Sequence, residues 1–211
     1  MIFKNETFAN IIIKGNIAEF DMSSAGPSVA RAENIITDEK YRELLAYPKK
    51  LRQIKFGLHL GKYKLQQRKE EALDKYMNLF IRENGIDYIH IMEIASDALW
   101  LFNPPRIKNR DFGEFVKFRM DRTASIMISF DGIKFYADTW NGSFFTRGYH
   151  LEEKDAQIMS TIMGIIENEE NIQILYKKLH QFKMMILKEE VTIKSKEYGS
   201  ALIDFILIST I

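Results

Sequence analysis

Strand-like and helix-like periodicities do not alternate along this chain. They come in separate blocks, and that order constrains the fold more than any single motif. Two short apolar runs, 8–13 and 17–22, flank Lys14-Gly15-Asn16 and predict a hairpin that delivers Asp21 to a strand end. A helix is expected over about 28–34, and Thr37 reads as the cap of a second one running to Leu45. After Pro48, Leu51, Ile54 and Leu58 have helical spacing. Beyond the region of Gly57 and Gly61, a long helix over about 65–84 closes at Gly85, with Leu65, Ala72, Tyr76, Leu79 and Phe80 inward. Residues 87–94 and 98–102 read as two strands joined at Ala95-Ser96-Asp97. Further strands follow at 114–118, 124–130, 133–136 and 143–146, with turns at Asp131-Gly132 and Asn141-Gly142. The tail is helical over 151–167 and 168–188, and 201–208 fits an edge strand or a helix. Blocks of this kind exclude regular βαβ winding and define an α+β class.

The chain has 211 residues and no cysteine, which excludes disulfide scaffolds, thiolate metal sites and thiol nucleophiles and fits a reducing compartment. No apolar run reaches the roughly 18–20 residues of a membrane span, and the N-terminus lacks a signal-peptide layout, so a cytoplasmic protein without membrane partners is expected. Glycine-rich phosphate loops and a serine-hydrolase elbow are absent. The four histidines form no metal-spaced pair, although His90 lies near the strand that leads to Asp97. Trp100, Trp140 and the ten methionines read as packing residues.

A net charge of +1 conceals an uneven distribution. Between Lys49 and Lys69 stand Lys49, Lys50, Arg52, Lys55, Lys62, Lys64, Arg68 and Lys69, with no Asp or Glu. Such a block is either a solvated face or a phosphate-binding one, and the lack of interleaved acids favours the second. Phe56 within it reads as core and Tyr63 as a residue able to stack on a base. Lys117, Arg119 and Arg122 either track a nucleic-acid backbone or protect a strand edge.

Two carboxylates interrupt apolar strand contexts, where an unpaired charge is expensive: Asp21 and Asp97. If their strands are neighbours in one sheet, the two groups converge at adjacent strand ends. A pair so placed suits Mg²⁺, which prefers one or two carboxylates together with substrate phosphates. The alternative is a turn-capping Asp97 and an exposed edge Asp21. Glu93 is a further weak ligand candidate.

The string Asp21-Met-Ser-Ser24-Ala-Gly26-Pro27-Ser28 resembles motif A of family-B DNA polymerases, Asp-x-x-Ser-Leu-Tyr-Pro-Ser, with Asp21, Ser24, Pro27 and Ser28 in register. Ala95-Ser96-Asp97 is similar to the Asp-Thr-Asp of motif C, with Ala95 in place of the first carboxylate. Val116-Lys-Phe-Arg-Met-Asp-Arg-Thr-Ala124 and Arg147-Gly148 resemble, in order, the family's Lys-Lys-Arg-Tyr segment and the Lys-Gly before its thumb. The family's fingers motif is absent as such.

The resemblance implies a polymerase-like palm over 1–150 with a basic helical fingers insertion at about 28–86, and a helical thumb-like region over 151–211. It implies Asp21 and Asp97 as catalytic residues and ligands of Mg²⁺ or Mn²⁺. Ser24, Gly26, Lys49, Lys50, Arg52 and Lys55 would bind a nucleoside triphosphate, and Lys62, Lys64, Lys117, Arg119 and Arg147 the nucleic acid. Gly26 stands where the family's tyrosine excludes a 2′-hydroxyl, so ribonucleotide tolerance is expected. The expected function is therefore minimal two-metal nucleotidyl transfer, polymerase- or primase-like. The alternatives are a catalytically silent nucleic-acid-binding or assembly subunit and a metal-dependent nuclease. By analogy, a small chain of this type suits a virus of bacteria, acting in the host cytoplasm with other replication or transcription subunits.

Overall fold

A computed structural model describes residues 11–130, 133–138, 143–147, 153–188 and 193–209. It is a mixed α/β fold with strands in the order β2-β3-β1-β5-β6-β7 and β4 attached to β5. The strands are β1 (Ile11–Met22), β2 (Ile91–Ala95), β3 (Ala98–Phe102), β4 (Asp111–Phe112), β5 (Val116–Phe130), β6 (Ile133–Asp138) and β7 (Ser143–Arg147). The helices are α1 (Ala25–Ala32), α2 (Asp38–Leu45), α3 (Lys49–Tyr63), α4 (Gln66–Glu83), α5 (Glu153–Glu167), α6 (Ile172–Lys188) and α7 (Ile193–Ser209). Pairings β2–β3, β4–β5, β5–β6 and β6–β7 are antiparallel. No helix among the described residues is long and apolar enough to cross a membrane.

The chain divides into two compact units, and the divisions fall inside strands β1 and β5 rather than at residue 150. Among the described residues the first unit is Ala18–Arg122. Its core gathers Phe20 of β1, Phe80 of α4 and Phe118 of β5, with Phe80 stacked on Phe118 at 4.2 Å between ring centroids and 5.5 Å from Phe20. Val29, Leu44, Phe56, Leu60 and Leu73 close this core from the helical side. Burying each such side chain contributes about 1.5–3 kcal/mol. In the second unit, Ile126, Ile128 and Phe135 pack in one core with Ile162 and Met163 of α5, Leu179 of α6, and Leu202, Ile203 and Ile206 of α7.

Local signals account for several elements. Thr37 caps α2 by accepting the Lys40 N–H at 3.2 Å. Gly85, at φ 60°, ends the α4 region as expected. Ser96, at φ 55°, turns β2 into β3. Residues 201–208 are helical because Leu202, Ile203 and Ile206 share one buried face.

Other expectations are corrected. The chain does not reverse at Lys14-Gly15-Asn16; β1 runs through it as one strand of 12 residues, with Gly15 at φ 150°, a backbone angle that glycine tolerates. Ile12 packs in the core of the second unit and Ile17 is fully buried, so burial on both sides of Gly15 outweighs turn propensity. Likewise 114–118 and 124–130 merge into β5, since Val116 and Phe118 point inward while Lys117 and Arg119 point outward, a strand pattern despite its charges. Helix α3 continues through Gly57 and Gly61, and it buries Phe56 and Leu60 while leaving Leu51, Ile54 and Leu58 exposed. On α4, Leu73 and Met77 are core residues and Tyr76 and Leu79 only half-buried. Trp100 is fully buried, whereas Met184 and Met185 are exposed rather than interface fillers. Trp140, Gly148, His150 and the turns at 131–132 and 141–142 lie outside the described residues.

Candidate functional site

The site is built where β1 ends. Ser24 adopts a left-handed conformation, φ 49° and ψ 42°, and turns the strand sharply into α1. Ser28 Oγ donates to the Ser23 carbonyl at 3.0 Å and braces this turn. Pro27 is tolerated because the first turn of a helix leaves its N–H groups without intrahelical acceptors. The neighbouring strand is β3, whose hairpin tip holds Asp97. Met22 N–H donates to the Asp97 carbonyl at 2.9 Å, and Ser23 N–H to the Lys117 carbonyl at 2.8 Å. These backbone bonds bring the ends of β1, the hairpin and β5 together, so Asp21 and Asp97 face one cleft.

That cleft, of about 640 Å³, lies wholly within the first unit. Asp21 and Asp97 line it together with Lys49, Arg52, Lys69 and Arg119. Two carboxylates therefore share a volume suited to a small ligand with four cations. Arg52 is fixed by Ser24 Oγ at 2.6 Å and the Tyr47 carbonyl at 3.2 Å, while its Nε is buried without a hydrogen-bond partner. Arg119 Nη2 reaches Asp21 Oδ2 at 3.3 Å and Asp121 Oδ1 at 3.2 Å.

The Asp21 carboxyl is pushed above its ordinary range, first by burial and then by the Asp97 charge, with Arg119 pulling it back. A like-charge pair of this kind gains from a shared cation. Among the described residues, however, no group of three or more His, Asp or Glu forms a metal cage. The donor set fits Mg²⁺ or Mn²⁺ only as two carboxylates completed by water and ligand phosphates.

Of the residues expected to act, the structure gathers Asp21, Asp97, Ser24, Gly26, Lys49, Arg52 and Arg119 around the cleft. Lys50 and Lys55 are not among its lining residues; Lys50 is exposed and Lys55 lies over the Tyr47 ring at 4.8 Å. Lys62, Lys64 and Lys117 are exposed outside it, and the Arg147 side chain lies outside the described residues. Glu93 and His90 do not line the cleft either, and His90 Nδ1 is 3.0 Å from the Phe102 carbonyl. Lys69, Gln53 and Gln66 line it, although no motif marked them as site residues and only Lys69 belongs to the cationic block. Lys69 and Gln66 sit at the start of α4 whereas Lys49 and Arg52 belong to α3, and no local pattern in the sequence says that the two helix starts line one cleft.

Gly26 is corrected in its role. A Cβ there would lie 2.6 Å from Phe56 Cε1 and 3.1 Å from Cδ1, so the ring of Phe56 fills the space that the sequence left empty. Ribonucleotide tolerance therefore draws no support from a vacant position. A side chain at position 26 would have to displace the Phe56 ring.

No curated protein matches the chain. A viral source, expected above by analogy, agrees with the family evidence. The sequence model described as "Bacteriophage PBS1 gene 130 protein" matches residues 3–203, nearly the whole length, and the chain belongs to that family.

Proposed function

We propose that this protein carries out metal-dependent nucleotidyl transfer on nucleic acid in the cleft of its first unit. The observation that carries this reading is the meeting of Asp21 and Asp97 with Lys49, Arg52, Lys69 and Arg119 in one cavity. Neither a purely acidic nor a purely basic pocket suits a phosphate ester accompanied by a divalent cation; this mixture does. Asp21 and Asp97 would hold Mg²⁺ or Mn²⁺, and the chemistry such a cation would supply there is activation of a hydroxyl and neutralisation of charge on a leaving phosphate. Arg52, anchored by Ser24 and Tyr47, meets the phosphate oxygens with a guanidinium that need not reorganise. Lys49 and Lys69 add charge from two helices. The resemblance of 21–28 and 95–97 to polymerase motifs A and C supports the same assignment, with a palm-like first unit. Action in the host cytoplasm beside other replication or transcription subunits follows from this reading.

A second reading, a binding subunit without catalysis, is favoured by the ion pair of Arg119 on Asp21 and by the alanine at position 95. The test is extension of a labelled primer–template, and of template alone, with NTPs or dNTPs and Mg²⁺ or Mn²⁺. Longer, metal-dependent products that fall by about 100-fold or more in both Asp21→Asn and Asp97→Asn are expected. Shortened strands would make the protein a nuclease. An inert wild type that retards nucleic acid as well as both variants do would leave the binding-subunit reading.

A further inference from the structure

Helix α3 has two unlike faces. Phe56 and Leu60 enter the core, and Lys49, Arg52 and Gln53 line the cleft. On the outer face, Leu51, Ile54 and Leu58 are 40%, 53% and 70% exposed. Their spacing of three and four residues makes one apolar stripe. Exposed Lys50 and Lys62 border it, and no acidic residue occurs on the helix.

Two glycines add an independent observation. Gly57 and Gly61 lie one turn apart beside the stripe, and a Cβ on either would meet nothing within 4 Å. Neither has a positive φ. The fold therefore has no use for glycine at these positions, although each costs a helix about 0.5–1 kcal/mol relative to alanine. Gly57 also borders the cleft, but Gly61 belongs to the outer face alone. Small residues beside an apolar ridge let another helix approach closely and seat its own ridge in the groove.

We propose that this face of α3 docks an acidic amphipathic helix of another protein. Charge complementarity selects the occupant. A second copy offers a poor match among the described residues: the exposed Ile172, Ile174, Met184, Met185 and Leu187 belong to α6, a helix that also lacks Asp and Glu, and the acidic helix α2 exposes a single large apolar residue, Leu45. Nucleic acid is poorly matched, since aliphatic side chains supply no stacking platform.

The probe is a labelled synthetic helix with leucines at i, i+3 and i+7 between glutamates, titrated with the full chain by fluorescence anisotropy. A second peptide carries lysine for every glutamate, and a single-stranded oligonucleotide is titrated in parallel. The acidic helix is expected to bind, more weakly at high salt, and to lose about tenfold or more in affinity with the double variant Ile54→Ser/Leu58→Ser. Gly61→Ala should weaken binding severalfold while raising Tm by about 1–3 °C. The proposal is overturned if the acidic helix fails to bind, if the lysine peptide binds equally, or if the double variant binds as the wild type does. It is also overturned if Gly61→Ala lowers Tm, or if the oligonucleotide loses as much affinity in the double variant as the peptide.

Discussion

Arg119 holds Asp21 across 98 residues of sequence, with Nη2 3.3 Å from Oδ2, and the same nitrogen lies 3.2 Å from Asp121. The pair puts a guanidinium on the carboxylate that a divalent cation would need. More than half of the Arg119 side chain is exposed, so the pair is worth at most about 1 kcal/mol, within reach of displacement by a metal ion. Asp121 is already in place to receive the released guanidinium.

Replacing Arg119 with glutamine should therefore tighten Mn²⁺ binding, by about two- to fivefold. Electron paramagnetic resonance of free Mn²⁺ during a protein titration measures this directly. Unchanged affinity would mean that the guanidinium does not compete, and Asp21→Asn should abolish binding in either background.

The raised Asp21 pKa sets a sign for the pH dependence of stability. The folded state holds this proton more tightly than the unfolded chain, whose carboxyl has the ordinary value of 3.8. The associated stabilisation is complete below that value and is lost as pH rises through the folded-state pKa. At neutral pH, Asp21→Asn should thus raise stability slightly, and below pH 3 the advantage should vanish. Urea denaturation of both proteins at the two pH values distinguishes this from a carboxylate stabilised by Arg119, for which the substitution would destabilise at neutral pH.

The close approach of Phe56 to Gly26 predicts an overpacked variant. Gly26→Ala must displace a ring that is only 6% exposed, at about 1–3 kcal/mol. Combining it with Phe56→Leu should recover part of that loss. A double-mutant cycle in urea that showed simple additivity would mean the two positions do not compete for the same space.

The hairpin tip connects backbone conformation to the cleft. Ser96 has φ 55°, so Ser96→Val should cost about 1–2 kcal/mol whereas Ser96→Gly should be neutral or stabilising. Because Asp97 follows directly, the valine variant should also bind Mn²⁺ more weakly. Equal Mn²⁺ affinity in both variants would separate the turn from the aim of the carboxylate.

Much of the candidate site was legible because its signals are local. A carboxylate inside an apolar strand run marked Asp21, and a tight turn between two such runs marked Asp97. The uninterrupted cationic stretch marked Lys49 and Arg52. Other features were not legible, each for a definite reason. Turn propensity at Lys14-Gly15-Asn16 was real but lost to burial of Ile12 and Ile17. The apolar spacing of Leu51, Ile54 and Leu58 was also real, yet periodicity cannot say which of two faces meets the core.

By itself the sequence determined the α+β class, the capped helix after Thr37, the long helix ending at Gly85 and the hairpin carrying Asp97. Each rests on contacts within a few residues, or on a composition that only one class of structure can bury. Only the tertiary structure decided that Phe56 fills the space beside Gly26, that Arg52 is anchored by Ser24 28 residues away, and that Arg119 pairs with Asp21. Those partners meet because separate strands and helices pack against a common core, and the free energy that selects such packing is shared among many side chains rather than written in any local pattern.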